Sequence, residues 1–192
     1  EGELIGEHHG RLNWTIVRPT AYYPYLSMTF GDVTNGEPYR IFDHGEYSVV
    51  NPIAREDLAE FIVNQVLAPD AYRRVLPVGG PWVPENVVTL KAAGEMMFDV
   101  LGRTPEFNVV TMASWDKKIA NLTRAGKLYK KLAPVAYYLE AAKYWSVVDH
   151  VAPAYGTRTL RGFMDKLKDR EFPTGSFKER MKNGTQMMPT DI

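Results

Sequence analysis

The sequence predicts an α/β fold with too few parallel strands to close a core by itself. Three observations point there. "WTIV" at residues 14–17 is apolar on both sides of the strand alternation, as a parallel strand covered on two faces would be. "RRVLPVGG" at 73–80 reads as a second buried strand, ending in two glycines. Between and after them run stretches with helical spacing of apolar residues, so the order is strand, hairpin, helix, strand, helix, strand, helices.

Each element follows from its residues. Residues 1–10 resemble the last turns of a helix closed by Gly10, with His8 and His9 at its surface. Pro19 ends the first strand by removing a ladder donor. A short helix is expected over 24–34, followed by "TNGEPY" as a turn. "YRIF" (39–42), the turn "DHGE" and "YSVV" (47–50) read as a small hairpin. "NPIAREDLAEFIVNQVLAPD" is a clear helix with Leu58, Phe61, Ile62 and Val66 on one face; the acids of its "DLAEF" face water by the same periodicity, in a structural rather than catalytic role. "TLKAAGEMMFDVLG" is a second, with Thr89 as N-cap, Gly102 as stop, and Leu90, Gly94, Met97 and Leu101 sharing a face. Phe107 to Met112 is one more strand. Residues 114–148 look helical, broken at Pro134, and "YGTRTLRGFMDKLKDR" is a last amphipathic helix. From Phe172 the chain reads as a polar, extended tail. The expected division is 1–112 for strands, cap hairpin and helices, 113–170 for a helical C-terminal cap, and 171–192 for the tail.

Composition narrows the chemistry. The chain is 45% hydrophobic and 24% charged with a formal net charge of zero, so bulk electrostatics gives no reason to expect nucleic acid as a partner. It has no cysteine, which excludes disulfides, thiolate metal sites and thiol nucleophiles. No apolar run approaches the ~20 residues that span a bilayer. The opening "EGELIGEHHG" lacks a basic n-region, an apolar h-region and an initiator Met, and predicts a processed or incomplete polypeptide. No G-x-G, P-loop, H-E-x-x-H or G-x-S-x-G occurs, and no Tyr is followed four residues later by Lys. By motif alone there is no catalytic set and no metal set. His44 and His150 are candidate metal ligands, against the plainer reading of solvated turn residues.

Five blocks carry a resemblance: "WTIVRPTAYYPYLS", "GEPYRIFDHGEYSVVNPIAREDLAEFI", "VLPVGGP", "TLKAAGEMMFDVLGRTPEF" and "APAYGTRTLRGFM". In this order they resemble the C-terminal half of the atypical short-chain dehydrogenase/reductases of the NmrA-like type, and most closely the divinyl chlorophyllide 8-vinyl reductases of plastids. The chain departs from that pattern at "PWVPENVV", at "SVVDHVAPAYG" and at Ala54, where a Ser or Thr cap is usual.

The resemblance implies the C-terminal part of a Rossmann-like parallel sheet plus a mostly helical substrate-binding cap. The N-terminal nucleotide-binding half, with the glycine-rich loop and active Lys, would lie before Glu1. It implies NADPH as cofactor, bordered by Arg18, Pro19, Thr20, Ala21 and Tyr22. It implies a tetrapyrrole-type substrate against Tyr22, Tyr23, Asn51, Pro52 and Ile53, while Tyr25 is assigned to packing. The missing half, or another chain, would complete the sheet. The place implied is the chloroplast, soluble or peripheral to the thylakoid membrane. A basic stretch, Lys117, Lys118, Arg124, Lys127, Lys130 and Lys131, is interleaved with apolar residues and is a candidate membrane or protein-complex contact, against a plainer solvated face over a core stripe. The other class of function is a non-catalytic reductase-fold subunit of a large photosynthetic or respiratory membrane complex.

Overall fold

The computed structural model describes residues 14–26, 29–68, 72–128, 140, 143–144 and 146–172. The expected N-terminal helix end with His8 and His9, the break at Pro134 and most of the tail lie outside the described residues. Strands β1 (Thr15–Pro19) and β4 (Arg74–Val78) pair in parallel, Ile16 opposite Val75 and Pro19 opposite Val78. The Thr20 N–H extends the ladder to the Val78 carbonyl at 3.1 Å. Because successive residues of a strand present their polar groups to opposite edges, Pro19 and Pro77 both point away from the shared ladder, where a missing N–H breaks nothing.

Cover on this sheet is thinner than the sequence pattern predicts. Val75 and Pro77 are exposed on β4. Helix α3 (Arg55–Val66) buries Leu58 beside Ile53 and Val78, with Phe61 packed against them. Its apolar stripe then leaves the sheet: Ile62 is 38% exposed and Val66 62%. The face that meets the two described strands is Leu58, Phe61 and Gln65, whose side-chain oxygen accepts from Arg74 at 2.9 Å, so Ile62 and Val66 are turned away from the sheet.

The expected hairpin does not form. Its turn exists, with Asp43 and Gly45 at positive φ and the Gly45 N–H donating to the Phe42 carbonyl at 2.7 Å. The strands on either side of it part company. β2 (Tyr39–Phe42) pairs in parallel with β6 (Phe107–Val110), and β3 (Val49–Val50) pairs antiparallel with β5 (Val88–Thr89). The reason is packing beneath β2. Tyr39 meets Phe107 edge-on at 6.3 Å. Gly94 of the helix below leaves them room, since a Cβ there would lie 2.7 Å from the Tyr39 ring. The turn is tied to that same helix, the Lys91 N–H donating to the Gly45 carbonyl at 3.0 Å.

That helix, α4 (Leu90–Val100), starts as expected: the Thr89 hydroxyl accepts from the Ala92 N–H at 3.1 Å, and Gly102 leaves the helix at φ 64°. Ala93, Met97 and Phe98 are buried in the main core, where Leu160, Met164 and Leu167 of α6 (Leu160–Leu167) meet them. Instead of one helix over 24–34 there are two short ones, α1 (Tyr23–Leu26) and α2 (Phe30–Thr34). Phe172, read as the start of a tail, docks on α2, its ring 5.6 Å from that of Phe30. Helix α5 (Met112–Leu128) buries Trp115 and Ile119 against Phe42 and Val110, and leaves Lys117, Lys118 and Arg124 exposed. In the described part of the basic stretch, exposed charges lie over a core stripe of Trp115 and Ile119.

Two buried asparagines lock these parts together. Asn51 is 0% exposed. Its amide donates to the carbonyls of Gly80 (3.0 Å) and Ala152 (2.9 Å) and accepts from the Ala152 N–H (3.0 Å). Asn86, also 0% exposed, donates to the carbonyls of Pro52 and Pro81 and accepts from the Leu160 N–H at 3.0 Å. The two glycines that end β4 allow this approach. A Cβ on Gly79 would lie 2.2 Å from the Asn51 amide, and one on Gly80 2.0 Å from the Pro52 carbonyl.

Replacing Asn51 by Ala takes the side-chain partner from the buried Gly80 carbonyl, at a cost of about 1–3 kcal/mol, and from two part-buried groups of Ala152. Asn51→Ala is therefore expected to lower the urea midpoint sharply or abolish cooperative unfolding by circular dichroism. Asn64→Ala, which removes one exposed bond to the Tyr155 hydroxyl, is expected to shift stability by under about 0.5 kcal/mol. Equal midpoints would contradict the role given to Asn51.

Candidate functional site

Ligands in open α/β sheets bind beyond the carboxyl ends of parallel strands. Here the chain leaves β1 at Pro19 and runs beside two other segments. The Thr20 hydroxyl donates to the Asn51 carbonyl at 2.7 Å, and the Ile53 N–H donates to the Ala21 carbonyl at 2.8 Å. The Gly80 N–H reaches the same Asn51 carbonyl at 2.9 Å. Residues 18–22, 51–53 and 79–82 thus form one ledge at the end of the β1–β4 pair.

The structure brings the sequence-predicted residues together on this ledge in different states. Arg18 is exposed, Pro19 and Thr20 are half-buried, and Ala21 is buried. Tyr22 is 42% exposed and bridges to Ile53. Asn51, Pro52 and Ile53 are buried, and the Asn51 amide is committed to backbone partners. Trp82, 59% exposed on the same ledge, was missed. Its signal was an aromatic two residues past a glycine pair that itself ends a strand. The side chain of Tyr25 lies outside the described residues.

Next to the ledge is a cleft of about 300 Å³ between the start of α1, the N-terminus of α3 and one side of α6. Tyr23, Ala54, Phe163 and Leu167 give it apolar walls; Glu56, Arg158, Lys166 and Arg170 give it charge. Of the predicted substrate residues, Tyr23 is the one that lines this cleft.

Arg158 is held there by Asp57. The carboxylate is 1% exposed and accepts from both the Arg158 backbone N–H (3.1 Å) and its guanidinium. The acids of "DLAEF" were expected to face water. Glu60 does, and Asp57 does not. Periodicity within the helix could not reveal a partner a hundred residues away. The local signal was Gly156, which sits at φ 78° with its Cβ position 2.1 Å from the Asp57 carboxylate, so only glycine fits. The carboxylate raises the Arg158 pKa still further above its usual range, through the hydrogen bond and then its charge.

Tyr23 completes the cluster. Its hydroxyl donates to the Arg158 carbonyl. Burial first, and the Asp57 charge second, push the phenol well above its ordinary value.

His44 Nδ1 accepts from the Glu46 N–H at 3.1 Å, and its ring packs on Tyr47 with centroids 4.2 Å apart. The His150 N–H donates to the Val49 carbonyl. Among the described residues no group of three metal-binding side chains converges.

Parallel strands, crossover helices and a ligand-end ledge place the chain in the Rossmann-like class shared by reductases and sugar-nucleotide epimerases. An isoflavone reductase superposes with a TM-score of 0.57 at 15% identity, over 86% of this chain and 55% of that one. A nucleoside-diphosphate-sugar epimerase from Staphylococcus aureus gives 0.55 at 14% identity, over 85% and 55%. No family model matches. In sequence, the chain is similar to the chloroplastic divinyl chlorophyllide a 8-vinyl-reductases of Oryza sativa subsp. indica (31% identity, 87% of this chain and 44% of the relative) and Zea mays (32%, 87% and 45%). It spans less than half the length of the curated relatives it matches.

The Tyr23 phenol makes a pH prediction. In the unfolded chain it ionises near pH ~10. In the fold it keeps its proton to higher pH, so deprotonation favours the unfolded state. Its contribution is intact below about pH 10 and falls above it by up to ~1.4 kcal/mol per pH unit. Tyr23→Phe is expected to cost about 1 kcal/mol at pH 7 and to flatten the alkaline loss relative to wild type in denaturant melts from pH 8 to 11. Parallel wild-type and variant curves would refute it.

Proposed function

We propose that this chain is the substrate-side segment of a nicotinamide-dependent reductase acting on the 8-vinyl group of a divinyl chlorophyllide-type chlorophyll precursor in the plastid. The observation that carries this reading is the ledge itself. Residues 18–22, 51–53 and 79–82 meet at the carboxyl ends of a parallel strand pair, in a chain about a third identical to the 8-vinyl reductases. Relatives named chloroplastic support the compartment, and no described helix is long and apolar enough to cross a membrane.

The fit to NADPH is partial and specific. The N–H and hydroxyl of Thr20 are already bonded to Val78 and Asn51, so 19–22 is a fixed wall that suits one edge of a flat ring. The glycine pair does not suit a pyrophosphate. The Gly79 N–H is used by the Pro153 carbonyl and the Gly80 N–H by that of Asn51. When bound, NADPH supplies a hydride which, with one proton, turns the vinyl group into an ethyl group and leaves NADP+. The chain's own residues orient. Arg18, Pro19, Thr20, Ala21 and Tyr22 border the nicotinamide, Tyr22 offers an aromatic face to the macrocycle, and Asn51, Pro52 and Ile53 fix the ledge between them; Tyr23, expected at the substrate, is 2% exposed and spends its hydroxyl on the Arg158 carbonyl. A further polypeptide segment bearing the glycine-rich loop covers the uncapped apolar surface of α3: Ile62, Val63 and Val66.

The test is a chimaera in which this chain replaces its matching segment in the Zea mays relative. Conversion of divinyl to monovinyl chlorophyllide with NADPH, followed by chromatography, is expected. The 192-residue chain alone is expected to show no sub-millimolar NADPH affinity by fluorescence titration. A folded chimaera without turnover would sink the reductase reading in favour of a non-catalytic subunit.

A further inference from the structure

We propose that Trp82 is a substrate-binding residue of the ledge, its indole serving as a preset stacking platform for a flat conjugated macrocycle. The identity of the macrocycle rests on the reductase reading; the platform does not.

The argument begins with exposure. Tryptophan is a residue that proteins bury for the most part. Trp115 follows that habit at 8% exposed, whereas Trp82 is 59% exposed. No hydrogen bond or ring contact holds its indole among the described residues. The side chain is therefore open to a ligand, with an apolar face to stack and an N–H to donate.

The backbone that carries it is fixed. Trp82 stands in "PWVP", between Pro81 and Pro84, whose rings lock φ. The Pro81 carbonyl accepts from the buried Asn86 amide at 3.1 Å. The Val83 carbonyl accepts from the N–H groups of Asn86 (2.9 Å) and Val87 (2.8 Å). An aromatic side chain on a loose loop gives up ordering entropy when it binds. One on a tied turn has little backbone freedom left to lose.

Position selects the occupant. The turn leaves β4 at the carboxyl end of the parallel pair, where open α/β sheets take their ligands. The Pro52 carbonyl and the Ile53 N–H belong to one planar trans peptide, so they point opposite ways. The N–H donates to the Ala21 carbonyl at 2.8 Å. The carbonyl accepts at 3.0 Å from the same Asn86 amide nitrogen that holds Pro81. Residues 21–22 and 81–82 thus flank a buried segment from its two sides. Each side carries one exposed aromatic, Tyr22 at 42% and Trp82. A broad, flat ring system is the ligand shape that can touch both, and aromatic faces stack upon one another. The platform is also this chain's own. "PWVPENVV" is a place where the sequence departs from the 8-vinyl reductase pattern, so Trp82 bears on specificity and not on the shared framework.

The test is an NMR titration of the full chain, isotopically labelled at its four tryptophans, with divinyl chlorophyllide a. Trp82→Phe assigns the Trp82 indole signal by its loss. In wild type that signal is expected to move as pigment is added. Trp82→Ala is expected to bind about tenfold more weakly, in the range of one stacking contact. Trp82→Phe, which keeps a ring face, is expected to stay within about threefold of wild type. Urea midpoints of both variants are expected to match wild type within about 0.5 kcal/mol, which separates a lost contact from a lost fold. In the chimaera, Trp82→Ala is expected to raise KM about tenfold and to leave kcat within about twofold. Pigment that binds without moving the Trp82 signal, or that binds Trp82→Ala as tightly as wild type, overturns the platform and leaves the reductase reading standing. Protoporphyrin IX is the second probe. If it moves the Trp82 signal while divinyl chlorophyllide a does not bind, the platform stands and the chlorophyllide reading falls. If neither binds the chain, the chimaera decides: a raised KM in Trp82→Ala supports the platform, an unchanged KM overturns it, and no turnover at all overturns both readings.

Discussion

The fold depends on letting backbone approach backbone through two buried asparagine amides. Asn51 and Asn86 together hold the end of β4, the lead-in to α3, the chain at Ala152 and the start of α6. None of these junctions belongs to a helix or a sheet ladder, so their polar groups need partners from elsewhere. A carboxamide can donate and accept at once, which suits a site where both carbonyls and N–H groups converge. The glycine pair at 79–80 is the steric condition for this arrangement, since any Cβ there would collide with Asn51 or with Pro52.

The same contrast explains how much could be read from the sequence. Elements whose cause is local were legible: α4 opened by Thr89 and closed by Gly102, and α6 as an amphipathic helix, although it spans Leu160–Leu167 and not the whole of 155–170. β1 does stop at Pro19, but not for want of a donor, since the Thr20 N–H carries its ladder one step further. Junctions whose cause is distant were not. Two extended runs around a glycine turn look like a hairpin, and nothing in that window reveals that β2 prefers β6, more than sixty residues on. Asp57 looked solvent-facing because its partner lies near Gly156. The segments 18–22 and 51–53, singled out through resemblance, do meet in space, whereas no motif marked Trp82.

Asp57 connects stability to recognition. A buried carboxylate is tolerable only when satisfied, and here its partners are the N–H and guanidinium of one residue, Arg158. The pairing ties α3 to the segment before α6, across the boundary between the sheet side and the helical side. It also fixes one cation of the cleft in place. Weakening the joint would therefore disturb the wall of the cleft as well as the packing of the two sides.

Rigidity and exposure are divided unevenly over the molecule, and the division bears on what the chain does. The ledge and core are dense: Phe30, Val33, Ile53, Met97, Phe98 and Leu160 are all 0% exposed. The far side of the β1–β4 sheet is not, with Val63 54%, Val66 62% and Leu67 77% exposed along one end of α3 and Tyr72 55% just beyond it. Singly exposed apolar residues are ordinary, but a group along one end of a helix is the kind of surface that proteins cover. Burying it would return roughly 25 cal/mol for each Å² removed from water. The ledge needs no such help, because its geometry is set by hydrogen bonds internal to the chain. Covering α3 would thus leave the ledge as it stands.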